Sequence, residues 1–286
     1  MKKQSDERLE VSSLRSGHVC NGYDIVGDLA IIRLVGRQAK DCSEVGRAIM
    51  DVHRNVKTVL AQTDAVEGEF RLRKLEYVAG EEKTRTTYRE SGCSFNVDVA
   101  TCYFSPRLAN ERMRIADQVV EGETIVNMFA GVGCFSIIIA KHAEVKKIFS
   151  IDLNPAAFGF MRDNIRMNGF YGKIVPMLGD ARKIIQEKLP HIADRVLMPL
   201  PEKALDYLPY ALLALKKGGG WIHYYDFVHA VKGEDPVEKV KAKVLDALRN
   251  LGGFAEVLLG RVVRDTGPNW YQVVLDIKAK PCQTND

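Results

Sequence analysis

Apolar and polar positions follow two rhythms along this chain, and the change between them falls near residue 92. Upstream the pattern is mixed. Residues 23–34 (YDIVGDLAIIRL) give two short strand-like runs about Gly27-Asp28, a hairpin signal. Residues 43–56 place Val45, Ala48, Ile49, Val52 and Val56 on one helical stripe, with Ser43 as an N-cap. Residues 58–62 read as a strand, residues 68–76 alternate apolar and charged, residues 80–83 read as a turn, and residues 84–88 and 93–99 as further strands. Downstream, short apolar runs alternate with longer helical stripes. Strands are predicted at 124–128, 146–151, 174–178, 195–198 and 219–227, and helices at 135–140, 156–168 and 236–251. Two more strands, 256–264 and 271–278, are joined by TGPN. This succession predicts an α/β fold: a doubly wound, Rossmann-like sheet of seven strands over residues 93–286, preceded by a small α+β domain over residues 18–92.

The most informative stretch is residues 124–154, TIVNMFAGVGCFSIIIAKHAEVKKIFSIDLN, which reads as strand, glycine turn, helix, strand and acidic residue in succession. Phe129, Ala130, Gly131 and Gly133 form a small-residue turn that leaves room for a ligand. The helix that follows would aim free N–H groups and the positive end of its dipole into that room. Asp152 closes the second strand nineteen residues beyond Gly133, where a carboxylate can accept hydrogen bonds from a ribose diol. The three-glycine fingerprint of a dinucleotide site is absent, because Phe135 occupies the early helix. Asp180, after the third strand of this series, is placed to meet an adenine amino group or to cap the next helix.

A second charged stretch is residues 103–115, YFSPRLANERMRI. Pro106 suits a first helical turn and Ser105 can cap it, so Arg107, Glu111 and Arg114 share one face. Spacing alone favours a solvated helix with ion pairs; the position just before the first strand of the parallel series brings that face to the ligand end of the sheet.

Composition narrows the class further. An apolar fraction of 46% and a charged fraction of 27% are those of a soluble globular chain, and 286 residues accommodate one large core and an accessory domain. No run approaches the ~18 apolar residues of a membrane span. The first seventeen residues are polar and lack the apolar centre of a secretion signal, so they read as a flexible start of a cytoplasmic protein. The six cysteines (Cys20, Cys42, Cys93, Cys102, Cys134, Cys282) show no CxxC pair, which points to buried thiols rather than a metal site. A net charge of +4 is compatible with a polyanionic partner without requiring one.

The glycine turn with Asp152 resembles the first motif of class I S-adenosylmethionine-dependent methyltransferases, which often carry Asp where this chain has Asn127. Taken together, FSPRLANER, MFAGVG, SIDLNP and WIHYYDF resemble the archaeal and eukaryotic tRNA (guanine-N1)-methyltransferases that modify position 37, beside the anticodon. The likeness extends to YDIVGDLAII and RKLEYVAG upstream. It implies a seven-stranded methyltransferase domain, S-adenosylmethionine as cofactor, the anticodon region of tRNA as partner, a monomer, a tRNA-binding role for residues 18–92, and absence of the extra N-terminal domain of longer members. It also implies roles for single residues. Glu111 matches the family's general base, Arg71 or Arg73 the arginine that stabilises charge at O6, and Tyr103, Arg107, Phe129, Asp152 and Asp180 positions that border the cofactor. The chain departs from the family after the fourth strand of the parallel series, where Pro199-Leu200-Pro201 stands for Asn-Leu-Pro. Relatives that methylate a wyosine precursor, or transfer the cofactor's aminocarboxypropyl group, are the alternatives this departure raises, together with a catalytically weak RNA-binding protein. The Ser-Pro-Arg and Asn-Glu-Arg elements favour methyl transfer.

Overall fold

The structure is a computed structural model that describes residues 22–33, 42–64, 66 and 68–281; the first seventeen residues, Cys20 and Cys282 lie outside the described residues. The chain forms two compact units, one of Met1–Tyr88 with Val97–Pro106 and one of Arg89–Asn96 with Arg107–Asp286.

In the first unit, β1 (Tyr23–Val26) and β2 (Leu29–Arg33) form the expected antiparallel hairpin. Gly27 turns it with a φ of 60°, and a Cβ there would sit 2.1 Å from the Thr86 hydroxyl, so only glycine fits. Helix α1 (Ser43–Val52) crosses to β3 (Thr58–Gln62), which runs parallel to β2, and β4 (Leu75–Gly80) returns antiparallel to β3. Val45 and Ile49 of α1 pack on Ala30, Ile32, Val59, Ala61, Val78 and Ala79. Two local expectations fail here. The N-cap of α1 is Cys42, without a side-chain bond, and the helix stops at Val52 because the Val56 N–H turns back to the His53 carbonyl. Residues 68–71 form a turn, with Arg71 at φ 55°, so the alternating run does not pair as a strand until Leu75. Strands β5 (Arg85–Glu90) and β6 (Cys93–Asp98), which pair as a two-stranded sheet, each combine residues of the first unit with residues of the 89–96 segment of the second.

The second unit holds the large sheet. After a 3-10 turn at Pro106–Leu108 come α2 (Ala109–Ala116), β7 (Thr124–Asn127), α3 (Cys134–His142), β8 (Lys147–Asp152), α4 (Pro155–Met167) and β9 (Ile174–Leu178). Then follow α5 (Ala181–Lys188), β10 (Arg195–Met198), α6 (Ala204–Ala214), β11 (Gly220–His229), α7 (Pro236–Asn250), β12 (Phe254–Gly267) and β13 (Trp270–Lys280). The strand order is β12-β13-β11-β10-β7-β8-β9. The five strands β7 to β11 are parallel, and β13 pairs antiparallel with β11 and with β12. This is the doubly wound seven-stranded sheet expected from the alternation.

The order reverses between β7 and β10, where the chain winds first toward β9 and then toward β12. In such sheets a crevice opens at the carboxyl ends of the two strands flanking the reversal. The end of β7 is also where the glycine turn begins. Helix α3 is anchored behind it by Ile137, Ile138 and Ile139, all fully buried, each stabilising the packed helix by about 1.5–3 kcal/mol. Helix α5 starts on the expected cap, Asp180, whereas α6 is an addition to the sequence reading and accommodates Pro209 in its interior. Ser105 is buried but does not cap α2, whose N-cap is Leu108 without a side-chain bond; the 3-10 turn separates the two. Among the described residues no helix is long and apolar enough to cross a membrane. Cys42, Cys93, Cys102 and Cys134 are buried free thiols.

Candidate active site

The glycine turn is held from three sides. Leaving β7, the Met128 N–H bonds to the Leu197 carbonyl of β10, and the Ala130 N–H to the Ile151 carbonyl of β8. The Asp152 carboxylate then reaches back: Oδ2 accepts the Gly131 N–H at 2.6 Å and Oδ1 the Asn154 N–H at 2.9 Å. Gly131 and Gly133 both take positive φ, 57° and 96°, which L side chains avoid. Helix α3 opens on Gly133 with no side-chain cap, so no side chain competes for the positive end of its dipole. Burial pushes the Asp152 carboxyl upward, and the N–H bonds from Asn154, Gly131 and Leu153 oppose it.

Asn127 explains its own departure from aspartate. It is fully buried; its amide nitrogen donates to the Ser136 hydroxyl at 3.1 Å, and its carbonyl oxygen accepts the Phe129 N–H at 3.4 Å. Ser150 donates to the same Ser136 oxygen at 2.7 Å. An amide supplies both a donor and an acceptor without placing a charge in that interior.

At the end of β9, Asp180 caps α5 by accepting the Arg182 N–H at 2.9 Å, and also accepts the Tyr207 hydroxyl at 3.2 Å. Burial would raise its carboxyl, but the Arg182 and Tyr207 bonds hold it below the usual aspartate value. Tyr207 in turn meets Phe129 edge to face, with ring centroids 4.9 Å apart. Phe129, Tyr207 and Asp180 therefore form one aromatic and acidic group beside the glycine turn. No sequence period marks Tyr207, because the apolar residues of α6 spread over most of its surface and Pro209 interrupts them.

Glu111 is 1% exposed, which corrects the solvated-helix reading. Arg114 donates to it through Nη2 at 2.7 Å and Nε at 3.0 Å, the Tyr225 hydroxyl donates at 2.8 Å, and Arg261 forms an ion pair at 3.3 Å. Burial and the adjoining Glu111 charge keep Tyr225 far above its ordinary value, so it remains a phenol that donates. The Tyr225 ring packs edge to face on Phe135, 6.2 Å between centroids, and Phe135 is the second residue of α3. One aromatic pair thus links the Glu111 carboxylate to the helix that begins at the glycine turn. Arg107 is exposed on the 3-10 turn.

Behind Glu111 the polar cluster continues into the sheet. Arg114 also bonds Asp276 of β13, Nη1 to Oδ2 at 2.5 Å, and Gln118 donates to the same oxygen at 3.0 Å. His223 of β11, fully buried, contacts Asp276 through Nδ1 at 2.6 Å and Arg195 through Nε2 at 2.6 Å. A guanidinium only donates, so Nε2 accepts and the ring proton sits on Nδ1. Burial, with Arg195 and Arg114 nearby, pushes His223 below its ordinary 6.5. In the unfolded chain the same imidazole takes a proton as pH falls through that value, while the folded protein resists it. Stability contributed by the neutral ring is therefore full above about 6.5 and declines below it, by ~1.4 kcal/mol per pH unit. Urea unfolding at pH 7 and pH 6, which straddle that value, should show about half that slope, ~0.7 kcal/mol, in the wild type beyond what His223→Gln shows; an identical slope in both would leave His223 without a role in this pH dependence.

In the first unit, the Arg71 guanidinium lies over the Tyr103 ring, 4.4 Å from its centroid, and Arg73 donates to the Phe104 carbonyl at 3.0 Å. The structure brings these two together within their own unit, while Glu111, Asp152 and Asp180 belong to the other. Several cations of this segment have acidic neighbours: Lys83 meets Asp28 at 2.7 Å, Lys74 meets Asp64 at 3.3 Å and Arg85 meets Asp98 at 3.3 Å.

Residues 86–248 match the family described as the TRM5/TYW2 methyltransferase domain, and residues 8–84 match the TYW2 N-terminal domain. The chain belongs to the TRM5/TYW2 methyltransferase family. It is 41% identical to the tRNA (guanine(37)-N(1))-methyltransferase Trm5b of Pyrococcus abyssi, over 90% of this chain and 74% of the relative. It is 38% identical to the tRNA 4-demethylwyosine(37)-methyltransferase Taw21 of Saccharolobus solfataricus, over 90% and 93%. Among solved structures, a complex of aTrm5 with tRNALeu superposes with a TM-score of 0.79 at 36% identity, covering 95% of this chain and 75% of that one. Methanocaldococcus jannaschii TYW2 in complex with AdoMet superposes with a TM-score of 0.67 at 27% identity, covering 91% and 100%. Within the TRM5/TYW2 family frame, the carboxyl ends of β7, β8 and β9 carry the glycine turn, Asp152 and Asp180, and α2 carries Glu111.

Proposed function

We propose that this protein transfers a methyl group from S-adenosylmethionine to N1 of guanine 37 in tRNA. The observation that carries the reading is the Glu111 carboxylate, buried and joined through Tyr225 and Phe135 to the helix that begins at the glycine turn. The residues at that turn fit the cofactor. Asp152 is placed for a ribose diol, Phe129 and Tyr207 offer an aromatic wall for a purine, Asp180 offers an acceptor for its amino group, and Ala130, Gly131 and Gly133 let the backbone approach closely. When bound, S-adenosylmethionine supplies an electrophilic methyl group on a sulfonium centre.

The protein's share of the chemistry is proton transfer and orientation. N1 of guanine loses its proton as it gains a methyl group, so a carboxylate must reach it. Glu111 takes that proton after exchanging one of its donors for the guanine N1–H; Arg261, 40% exposed, is the partner most easily displaced. Arg71 or Arg73 stabilises charge at O6, Tyr103 and Arg107 border the cofactor, residues 18–92 face the anticodon region of tRNA, and the protein works as a monomer in the cytoplasm.

A second reading, methylation of 4-demethylwyosine at the same position, is favoured by Pro199-Leu200-Pro201, which offers the base no side-chain donor, and by the likeness to Taw21. Single-turnover methylation of two tRNAs, one with unmodified guanine and one with 4-demethylwyosine at position 37, separates the readings. Faster transfer to guanine supports the first, and transfer confined to the tricyclic base overturns it.

A further inference from the structure

Two carboxylates flank Arg114, Glu111 on its own helix and Asp276 on β13. Asp276 is buried and receives the His223 Nδ1–H, the Gln118 amide and two nitrogens of Arg114. Every one of these groups donates, so a proton arriving at Asp276 would displace a charge-assisted bond. Burial alone would raise Asp276, yet the His223 and Arg114 bonds outweigh it and hold the carboxyl far below the ordinary aspartate range. Glu111, on the other side of the same guanidinium, accepts from Arg114 Nε and Nη2 and from the Tyr225 hydroxyl, and pairs with the partly exposed Arg261.

We propose that Asp276 is a positioning residue for Glu111: it fixes the Arg114 guanidinium from the side opposite Glu111 and shares its charge, so that the Glu111 carboxylate is held where it meets the substrate. The proposal rests on the reading of Glu111 as the group that receives the guanine proton.

Geometry and charge both support this. Arg114 reaches Glu111 through Nε and Nη2 and Asp276 through Nη1 and Nη2, so the guanidinium plane is fixed from two sides. A guanidinium paired with Glu111 alone would favour its ionised form more strongly and make it a weaker base. Asp276 is itself fixed by its register opposite His223 in the β11–β13 pairing, and His223 is held in one tautomer by Arg195, which Glu123 grips at 2.7 and 3.0 Å. The charged and titratable groups facing Glu111 are Arg114 on its own helix, Tyr225 and then His223 on β11, Arg261 on β12 and Asp276 on β13; α3 presents Phe135, which is neutral. Arg112, the neighbour of Glu111 in sequence, is engaged by Glu90 at 2.5 Å.

The test reads Glu111 directly and reads catalysis separately. With ¹³C-labelled glutamate carboxyls, the Glu111 resonance is assigned by its loss in Glu111→Gln, and its titration midpoint is followed in the wild type, Asp276→Asn and Gln118→Lys. Asp276→Asn removes the second carboxylate. Gln118→Lys, at a partly exposed position, puts an ammonium against Asp276 and so remains informative if the first variant does not fold. Both should move the Glu111 midpoint down, Asp276→Asn further than Gln118→Lys. The acid limb of the single-turnover methyl-transfer rate should move with it, and the plateau should fall several-fold as the base weakens. Midpoints that stay at the wild-type value in every folded variant overturn the proposal. Midpoints that move while the rate profile does not would uphold the coupling and reject Glu111 as the proton acceptor.

Discussion

Glu111→Gln should lower single-turnover methyl transfer by about 10²- to 10⁴-fold at saturating tRNA while S-adenosylmethionine affinity holds. Glutamine keeps the length of the side chain and can still accept from Tyr225 and Arg114, so the geometry around α2 survives; what disappears is the capacity to take a proton. The substitution also replaces a buried anion beside two guanidinium groups, Arg114 at 2.7 Å and Arg261 at 3.3 Å, and some loss of stability accompanies it. The two effects separate on pH. A base role removes the acid limb of the rate profile, whereas a purely structural ion pair lowers the melting temperature and leaves the profile of the folded enzyme as it was. A folded Glu111→Gln protein with the wild-type rate and profile would end the general-base assignment.

Asp152→Ala should weaken S-adenosylmethionine binding by roughly 1.5–3 kcal/mol, the scale for losing charge-assisted hydrogen bonds. Two losses combine. The ribose loses its acceptor, and the glycine turn loses the bond from the Gly131 N–H that ties it to the end of β8. Asp152→Asn discriminates between them, because its amide oxygen can still accept the Gly131 N–H or a ribose hydroxyl but cannot offer two anionic oxygens. Calorimetric titration should rank the wild type above Asn and Asn above Ala. Unchanged affinity in Asp152→Ala would take Asp152 out of the cofactor site.

The strand ends and the glycine turn were legible in the sequence because each depends on local rules. A β-branched run followed by Gly131 and Gly133 permits few backbone paths, and Asp152 is fixed in space by the strand it ends. What escaped depends on partners remote in sequence. Arg107, Glu111 and Arg114 have the same spacing whether their face meets water or a sheet, and the burial of Glu111 is decided by Tyr225, 114 residues away, and Arg261. Asp276 lies 162 residues from Arg114 and meets it only in the folded chain, where β13 sets it opposite His223 of β11. No local period announces such a partner. Asn127 looked like a departure, and its reason is the Ser136 hydroxyl, nine residues along the chain, which Ser150 engages from fourteen residues further on. Helix α5 is announced by its cap, Asp180, since its apolar stripe of Ile184 and Ile185 is short, and α6 is obscured because it is apolar over most of its surface with a proline inside.

Methyl transfer to N1 of guanine 37 is read most plainly from the product itself. Unmodified tRNA is incubated with the protein and S-adenosylmethionine carrying one label in the methyl group and a second in the carboxyl group, digested to nucleosides, and analysed by mass and by label. The expected product is 1-methylguanosine at position 37 bearing only the methyl label. Incorporation of the carboxyl label, or a methylated nucleoside at any other position or atom with guanine 37 untouched, would contradict it.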